Sequence, residues 1–184
     1  MNADLWVFGY GSLMWNPGFP HLEAQPALLR GYHRSFCVRS IRYRGTPDCP
    51  GLVLGLDRGG ACRGRAFRVA AENAEDVLAY LEDREMLHRV YERRSVPLTL
   101  PDRRITAEAF VVDRSHRNYC GGLPQDQLVD LILQGEGIKG PCIDYLLNTV
   151  AHLDDMGIGD GPLHRLRDAV KARLETAPRQ AAQA

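Results

Sequence analysis

Leu5-Trp6-Val7-Phe8-Gly9-Tyr10-Gly11-Ser12-Leu13 begins as a short apolar run and ends among glycines. A run this short, closed by glycine, reads as a buried strand that gives way to a loop. Outward from it, Leu28 to Val38, Gly51 to Leu56 and Arg63 to Val69 read as further strands. Turn-rich pieces, Gly45-Thr46-Pro47-Asp48 and Asp57-Arg58-Gly59-Gly60, separate them. Ser95 to Leu100 and Ile105 to Val112 flank a turn at Pro101-Asp102-Arg103-Arg104. One helix interrupts the strands. Asn73 suits its N-cap, Glu75 and Asp76 suit its positive end, and Ala74, Val77, Leu78 and Leu81 repeat at helical spacing. The last third is helical, marked by Leu128, Leu131 and Ile132, then Ile143, Leu146, Leu147 and Val150. Leu163, Leu166, Val170 and Leu174 mark a third helix, with Pro162 at its first position. Strands first and helices later predict an α+β fold, with a mixed or antiparallel sheet that curls towards a barrel.

The 184 residues suit one domain, over 1–176, and 177–184 carry nothing to bury and read as a disordered tail. Apolar residues make up 45% and charged residues 25%, the balance of an ordinary globular chain. Basic and acidic residues number 23 each, which argues against nucleic acid or an anionic membrane as a partner. No apolar stretch approaches the roughly 20 residues of a membrane helix, and the opening residues lack the basic and apolar regions of a signal peptide. The expected compartment is the cytoplasm. Five cysteines (Cys37, Cys49, Cys62, Cys120, Cys142) are irregularly spaced and read as reduced thiols, and no metal-ligand spacing occurs among Cys and His. The sequence does not fix an oligomeric state.

Two places break the local rules. The glycines around Tyr10 let the backbone turn sharply and present bare N–H groups, which can hold a carboxylate or a developing oxyanion. The alternative is a glycine-rich strand end packed closely on a neighbour. A dinucleotide fingerprint would need glycine where Met14 stands, and a nucleophile elbow around Ser12 would need it at Tyr10 and Met14. The second place is Glu85, four residues beyond Leu81 on the apolar row of the helix, where the pattern expects a core residue. Burial there would raise its pKa, which suits a general base near neutral pH. The alternative is an end-of-helix Glu paired with Arg84 or Arg89. His88 reads as a surface residue, and Tyr145 as a core-edge tyrosine or one that reaches a pocket. Arg39, Arg42 and Arg44 could meet an anionic substrate or form a solvated strand face.

Together these blocks resemble the ChaC-type γ-glutamylcyclotransferases. Trp6 to Trp15 is similar to the family's opening signature and Arg44 to Leu56 to its second block. Tyr80-Leu81-Glu82-Asp83-Arg84-Glu85 resembles the helix that carries the catalytic glutamate, and Asp144 to Thr149 a late helical motif. The resemblance runs from about residue 5 to 175. It implies a curled mixed β-sheet or barrel flanked by helices, and cleavage of glutathione to 5-oxoproline and cysteinylglycine without metal or cofactor. It implies a substrate-binding loop of Val7, Phe8, Gly9, Tyr10, Gly11 and Ser12, with Glu85 as general acid/base and Tyr145 near the pocket. Met86-Leu87-His88 departs from the glycine-containing turn of eukaryotic relatives. Two other readings stay open: the same chemistry on other γ-glutamyl dipeptides or γ-glutamyl-amines, and a non-catalytic module that binds a γ-glutamyl ligand.

Overall fold

The computed structural model describes residues 3–85 and 90–181, with side chains described for 3–84 and 90–176. Five strands close into a barrel in the order β1-β3-β2-β4-β5. They are β1 (Leu5–Gly9), β2 (Glu23–Ser40), β3 (Gly51–Val69), β4 (Tyr91–Thr99) and β5 (Arg104–Val112). β1 runs antiparallel to β3, from Leu5↔Val69 to Gly9↔Arg65, and parallel to β5 through Val7↔Glu108. β4 and β5 form an antiparallel pair from Tyr91↔Val112 to Thr99↔Arg104, and Leu28 and Leu29 of β2 face Thr99 and Leu98 of β4. The sheet is therefore mixed and closed, the first of the two alternatives, mixed or antiparallel, that the sequence leaves open.

The chain forms two compact units. One comprises Met1–Arg34 and Gly55–Tyr119, the other Ser35–Leu54 and Cys120–Ala184. β2 and β3 each run from one unit into the other without a break.

In the first unit, α1 (Ala74–Glu85) lays Val77 and Leu81 into a cluster with Val7, Leu13, Phe19, Phe67, Val69 and Phe110. Phe19 meets Phe67 edge to face, with ring centroids 5.7 Å apart, the geometry aromatic pairs prefer. Val7 enters that cluster while Phe8, the next residue, is equally buried and points to the other face of β1. A strand covered on both faces has no polar alternation, and this is why its sequence is a short continuous apolar run.

Two expectations of the first unit are corrected. Asp57-Arg58-Gly59-Gly60 is not a turn between two strands but the middle of the single long strand β3. Gly59 and Gly60 hold φ of 103° and 68°, a conformation glycine adopts at no steric cost, and the strand runs through them without ending. Asn73 is not the cap of α1, because helical winding begins earlier, in the 3-10 turn Ala71–Asn73. The cap comes from Asp4, whose Oδ1 accepts the Ala71 amide at 3.1 Å while Oδ2 takes Arg68 Nη1 at 3.3 Å.

The second unit carries α2 (Gln125–Gln134), the two-residue strands β6 (Glu136–Gly137) and β7 (Gly140–Pro141), α3 (Cys142–Asp155) and α4 (Gly161–Ala181). The Arg44-to-Gly51 block packs here backbone on backbone. A Cβ on Gly51 would lie 1.9 Å from the Arg44 carbonyl oxygen, and one on Gly135 would lie 2.4 Å from Gly51 Cα. α4 is capped by Asp160, whose Oδ1 accepts the Leu163 amide at 3.2 Å, so Pro162 stands one position later than expected. The helix continues to Ala181, through residues the sequence reads as tail; 182–184 lie outside the described residues. No described helix is long and apolar enough to cross a membrane.

Candidate active site

β1 ends at Gly9, and Tyr10 and Gly11 lead into a 3-10 turn over Ser12–Met14. The Met14 amide donates to the Gly11 carbonyl at 2.9 Å, and the Asn16 amide to the Ser12 carbonyl at 2.8 Å. Val7 and Phe8 are fully buried and Tyr10 is nearly so, whereas Ser12 is half-buried. Close packing of the strand end holds here too, since a Cβ on Gly9 would meet Leu13 Cβ and the Phe67 ring at 3.2 Å. A Cβ on Gly64 would lie 2.3 Å from the Gly9 carbonyl oxygen. The loop is thus built on a tightly packed strand end, and the two readings of its glycines are compatible.

Two arginines fix this loop, and neither was singled out from sequence in that role. Arg34 of β2 is buried, its Nε donating to the Tyr10 carbonyl and its Nη2 to the Arg63 carbonyl at 2.7 Å. A signal for it existed: Arg34 shares one face of its strand with Phe36 and Val38, both buried, where the alternation calls for an apolar residue. Arg84, in the last turn of α1, donates through Nη2 to the Ser12 hydroxyl at 3.0 Å. Its Nη1 reaches the Asn16 and Pro17 carbonyls at 3.0 and 3.1 Å and the Tyr80 hydroxyl at 2.8 Å.

Glu85 closes α1 immediately after Arg84, one helical turn beyond the fully buried Leu81. Its side chain lies outside the described residues, as do His88, Arg89 and the Met86-Leu87-His88 segment.

Tyr145 belongs to the second unit, on α3. Its ring lies 5.6 Å from that of Phe36, and the Arg44 guanidinium sits 5.3 Å from its centroid, within cation–π range. Arg44 also donates to the carbonyls of Lys139 and Pro141, at 2.5 and 3.1 Å, so it ties the β6–β7 hairpin to α3. Arg39 and Arg42 are exposed.

All five cysteines carry reduced thiols. Cys142 donates to the Leu52 carbonyl at 3.1 Å and accepts the Leu52 amide at 3.2 Å; burial pushes its pKa up to about 11, against smaller opposing effects of that amide and Arg44. Such a thiol pairs with a strand edge and stays protonated.

A family model described as ChaC-like protein matches residues 5–173. The chain is 36% identical over 173 residues to the glutathione-specific gamma-glutamylcyclotransferase of Escherichia coli K12, covering 94% of this chain and 75% of that protein. Glutathione-specific gamma-glutamylcyclotransferase 1 of Mus musculus is 34% identical over 177 residues, covering 92% and 79%. Among solved structures, the crystal structure of a yeast gamma-glutamyl cyclotransferase specific to glutathione superposes with a TM-score of 0.84. That alignment covers 93% of this chain and 97% of the other at 22% identity, and it establishes a shared fold.

Proposed function

The chain belongs to the ChaC-like family, and from that premise we propose that it cleaves glutathione by internal cyclisation, releasing 5-oxoproline and cysteinylglycine. The observation that carries the assignment of the site is Arg84. It binds the Ser12 hydroxyl and the Asn16 and Pro17 carbonyls, and so fixes the end of α1, where Glu85 stands, against the Tyr10–Ser12 loop.

The chemistry needs a base, a folded substrate and a site for negative charge. The α-amino group of the γ-glutamyl moiety has a reference pKa of about 8 and is largely protonated near neutrality. Glu85 takes a proton from it. The freed nitrogen attacks the γ-carbonyl carbon, a C–N bond forms, and the carbonyl oxygen becomes an oxyanion. The amides of the loop, at Gly11 and Ser12, hold that oxyanion or the α-carboxylate. The bond from the γ-carbon to the cysteine nitrogen then breaks as Glu85 returns the proton to the departing amine, and the second proton, which the ring nitrogen sheds on becoming the lactam N–H, passes to the same amine, so that cysteinylglycine leaves as an ammonium. Ring closure is intramolecular, so proximity alone can supply on the order of 7 kcal/mol in favourable geometry. The balance of atoms calls for no water and no covalent enzyme intermediate. The chain's proposed place of action is the reducing cytoplasm, where reduced thiols such as these persist.

The test is purified protein with millimolar glutathione, assayed for 5-oxoproline and cysteinylglycine, beside Glu85→Gln. Product from wild type and a loss of several orders of magnitude in the folded variant are expected. Near wild-type turnover by Glu85→Gln would remove Glu85 from the role of base. Activity on other γ-glutamyl dipeptides or amines but not on glutathione would replace the substrate and keep the chemistry.

A further inference from the structure

The β1–β3 ladder runs out at Gly9↔Arg65, where β1 leaves the sheet to become the loop. Two main-chain carbonyls lie just past that point, Tyr10 on the departing chain and Arg63 on β3. Both accept from Arg34, the first from Nε and the second from Nη2 at 2.7 Å, with Met14 Sδ 3.9 Å from the same Nη2. Arg34 lies on β2, next to β3 in the barrel, and is 3% exposed. The guanidinium is planar, with donors in a fixed fork, so one side chain meets two diverging carbonyls at once.

That contact has a consequence for the loop. The peptide between Tyr10 and Gly11 is a rigid plane, in which the Tyr10 carbonyl and the Gly11 N–H point in opposite directions. Anchoring the carbonyl on Arg34 turns the Gly11 N–H away from the guanidinium. The same hydrogen bond draws electron density towards Arg34 and makes the Gly11 N–H a stronger donor.

We propose that Arg34 is the positioning residue of the loop, aiming and polarising the Gly11 amide that stabilises the oxyanion of cyclisation. The inference rests on the functional reading above and deepens it by assigning one donor and the group that orients it. Arg34 itself touches no substrate, and its effect passes through the Tyr10–Gly11 peptide.

The test compares wild type, Arg34→Lys and Glu85→Gln on glutathione, and follows the Gly11 amide by NMR in 15N-glycine-labelled protein titrated with 5-oxoproline. Lysine keeps the charge and loses the fork. The expected result for folded Arg34→Lys is a fall in kcat of about a hundredfold, the usual loss on disturbing one oxyanion donor, with KM within about threefold. In wild type the Gly11 amide signal shifts on saturation with 5-oxoproline, and in Arg34→Lys that shift shrinks. A merely structural role would lower the melting temperature while the folded variant kept its kcat, and that result overturns the proposal. If Arg34→Lys does not fold, the wild-type titration decides, since a Gly11 amide indifferent to 5-oxoproline overturns it equally. Wild type that makes no 5-oxoproline from glutathione defeats the functional reading itself, whereas active wild type with unimpaired Arg34→Lys defeats this inference alone.

Discussion

Arg84 Nη2 lies 3.0 Å from the Ser12 hydroxyl, and this hydrogen bond joins the last turn of α1 to the turn that follows β1. Its companion Nη1 spans two backbone carbonyls, those of Asn16 and Pro17, so the helix end is held against the loop at several points. Arg84→Ala should cost about 1–2 kcal/mol of stability, since these are charge-assisted bonds at a partly exposed site. It should also lower kcat for glutathione at least tenfold, because the residue after Arg84 loses its register with the loop. Arg84→Lys should recover part of the stability and little of the rate, as an ammonium cannot copy the fork. Urea unfolding and steady-state kinetics measure the two effects separately, and unchanged kcat in Arg84→Ala would make the contact incidental to catalysis.

The same helix face constrains Gly18. Its φ is +75°, and a Cβ there would lie 2.2 Å from the Tyr80 hydroxyl. Gly18→Ala meets both the backbone strain and the clash and should destabilise by about 2 kcal/mol. Tyr80→Ala removes the clash and leaves the strain. The double variant should therefore lose less than the sum of the two single losses, a coupling of about 1 kcal/mol in a double-mutant cycle. Strict additivity would mean that the loop moves aside from Tyr80 without cost.

What the sequence disclosed of this arrangement, and what it did not, follows from where the partners are. The short apolar run at Val7 and Phe8 and the Val77–Leu81 row are side-chain patterns, and they report the barrel strand and the helix that covers it. Glu85 is legible as a carboxylate continuing that row. The continuous β3 is hidden because Gly59 and Gly60 have turn composition yet sit mid-strand at positive φ. The cap of α1 is hidden because Asp4 reaches it across the fold, from far away in the chain. The roles of Arg34 and Arg84 are hidden for a further reason: most of their acceptors are main-chain carbonyls, of Tyr10, Arg63, Asn16 and Pro17, and a carbonyl leaves no mark in residue identity.

Asp57 gives the barrel a pH dependence whose sign can be worked out. Burial alone would raise its pKa, but hydrogen bonds from Arg114 Nε at 2.7 Å, Tyr119 Oη at 2.9 Å and the Arg58 amide at 2.8 Å outweigh burial and hold it below the ordinary aspartate value. A depressed pKa means that the folded state favours the carboxylate. Its contribution is present above the ordinary aspartate pKa and is lost as pH falls through the lowered folded-state value. Asp57→Asn should cost about 2 kcal/mol at pH 7. The gap between wild type and variant should close progressively in acid, below about pH 4. Urea midpoints from pH 7 to pH 3 test this, and a constant gap across that range would show that the charge of Asp57 contributes nothing.

Cys142 and Cys49 should separate cleanly under alkylation. Cys142 is fully buried, shares both backbone groups of Leu52, and has a pKa pushed up to about 11, chiefly by burial. The thiolate is the nucleophile, so at pH 8 only about one Cys142 in a thousand would be ionised even if reagent reached it. Cys49 is half-exposed, with its Sγ 3.3 Å from the Gln134 carbonyl. Iodoacetamide on the native protein at pH 8 should therefore label Cys49 first and Cys142 only on unfolding, as read by peptide mass spectrometry. Cys142→Ser should destabilise by about 1–2 kcal/mol, because a shorter, more polar hydroxyl replaces sulfur in a site built around both the amide and the carbonyl of Leu52. Early labelling of Cys142 in folded protein would mean that α3 opens from β3 far more often than this packing allows.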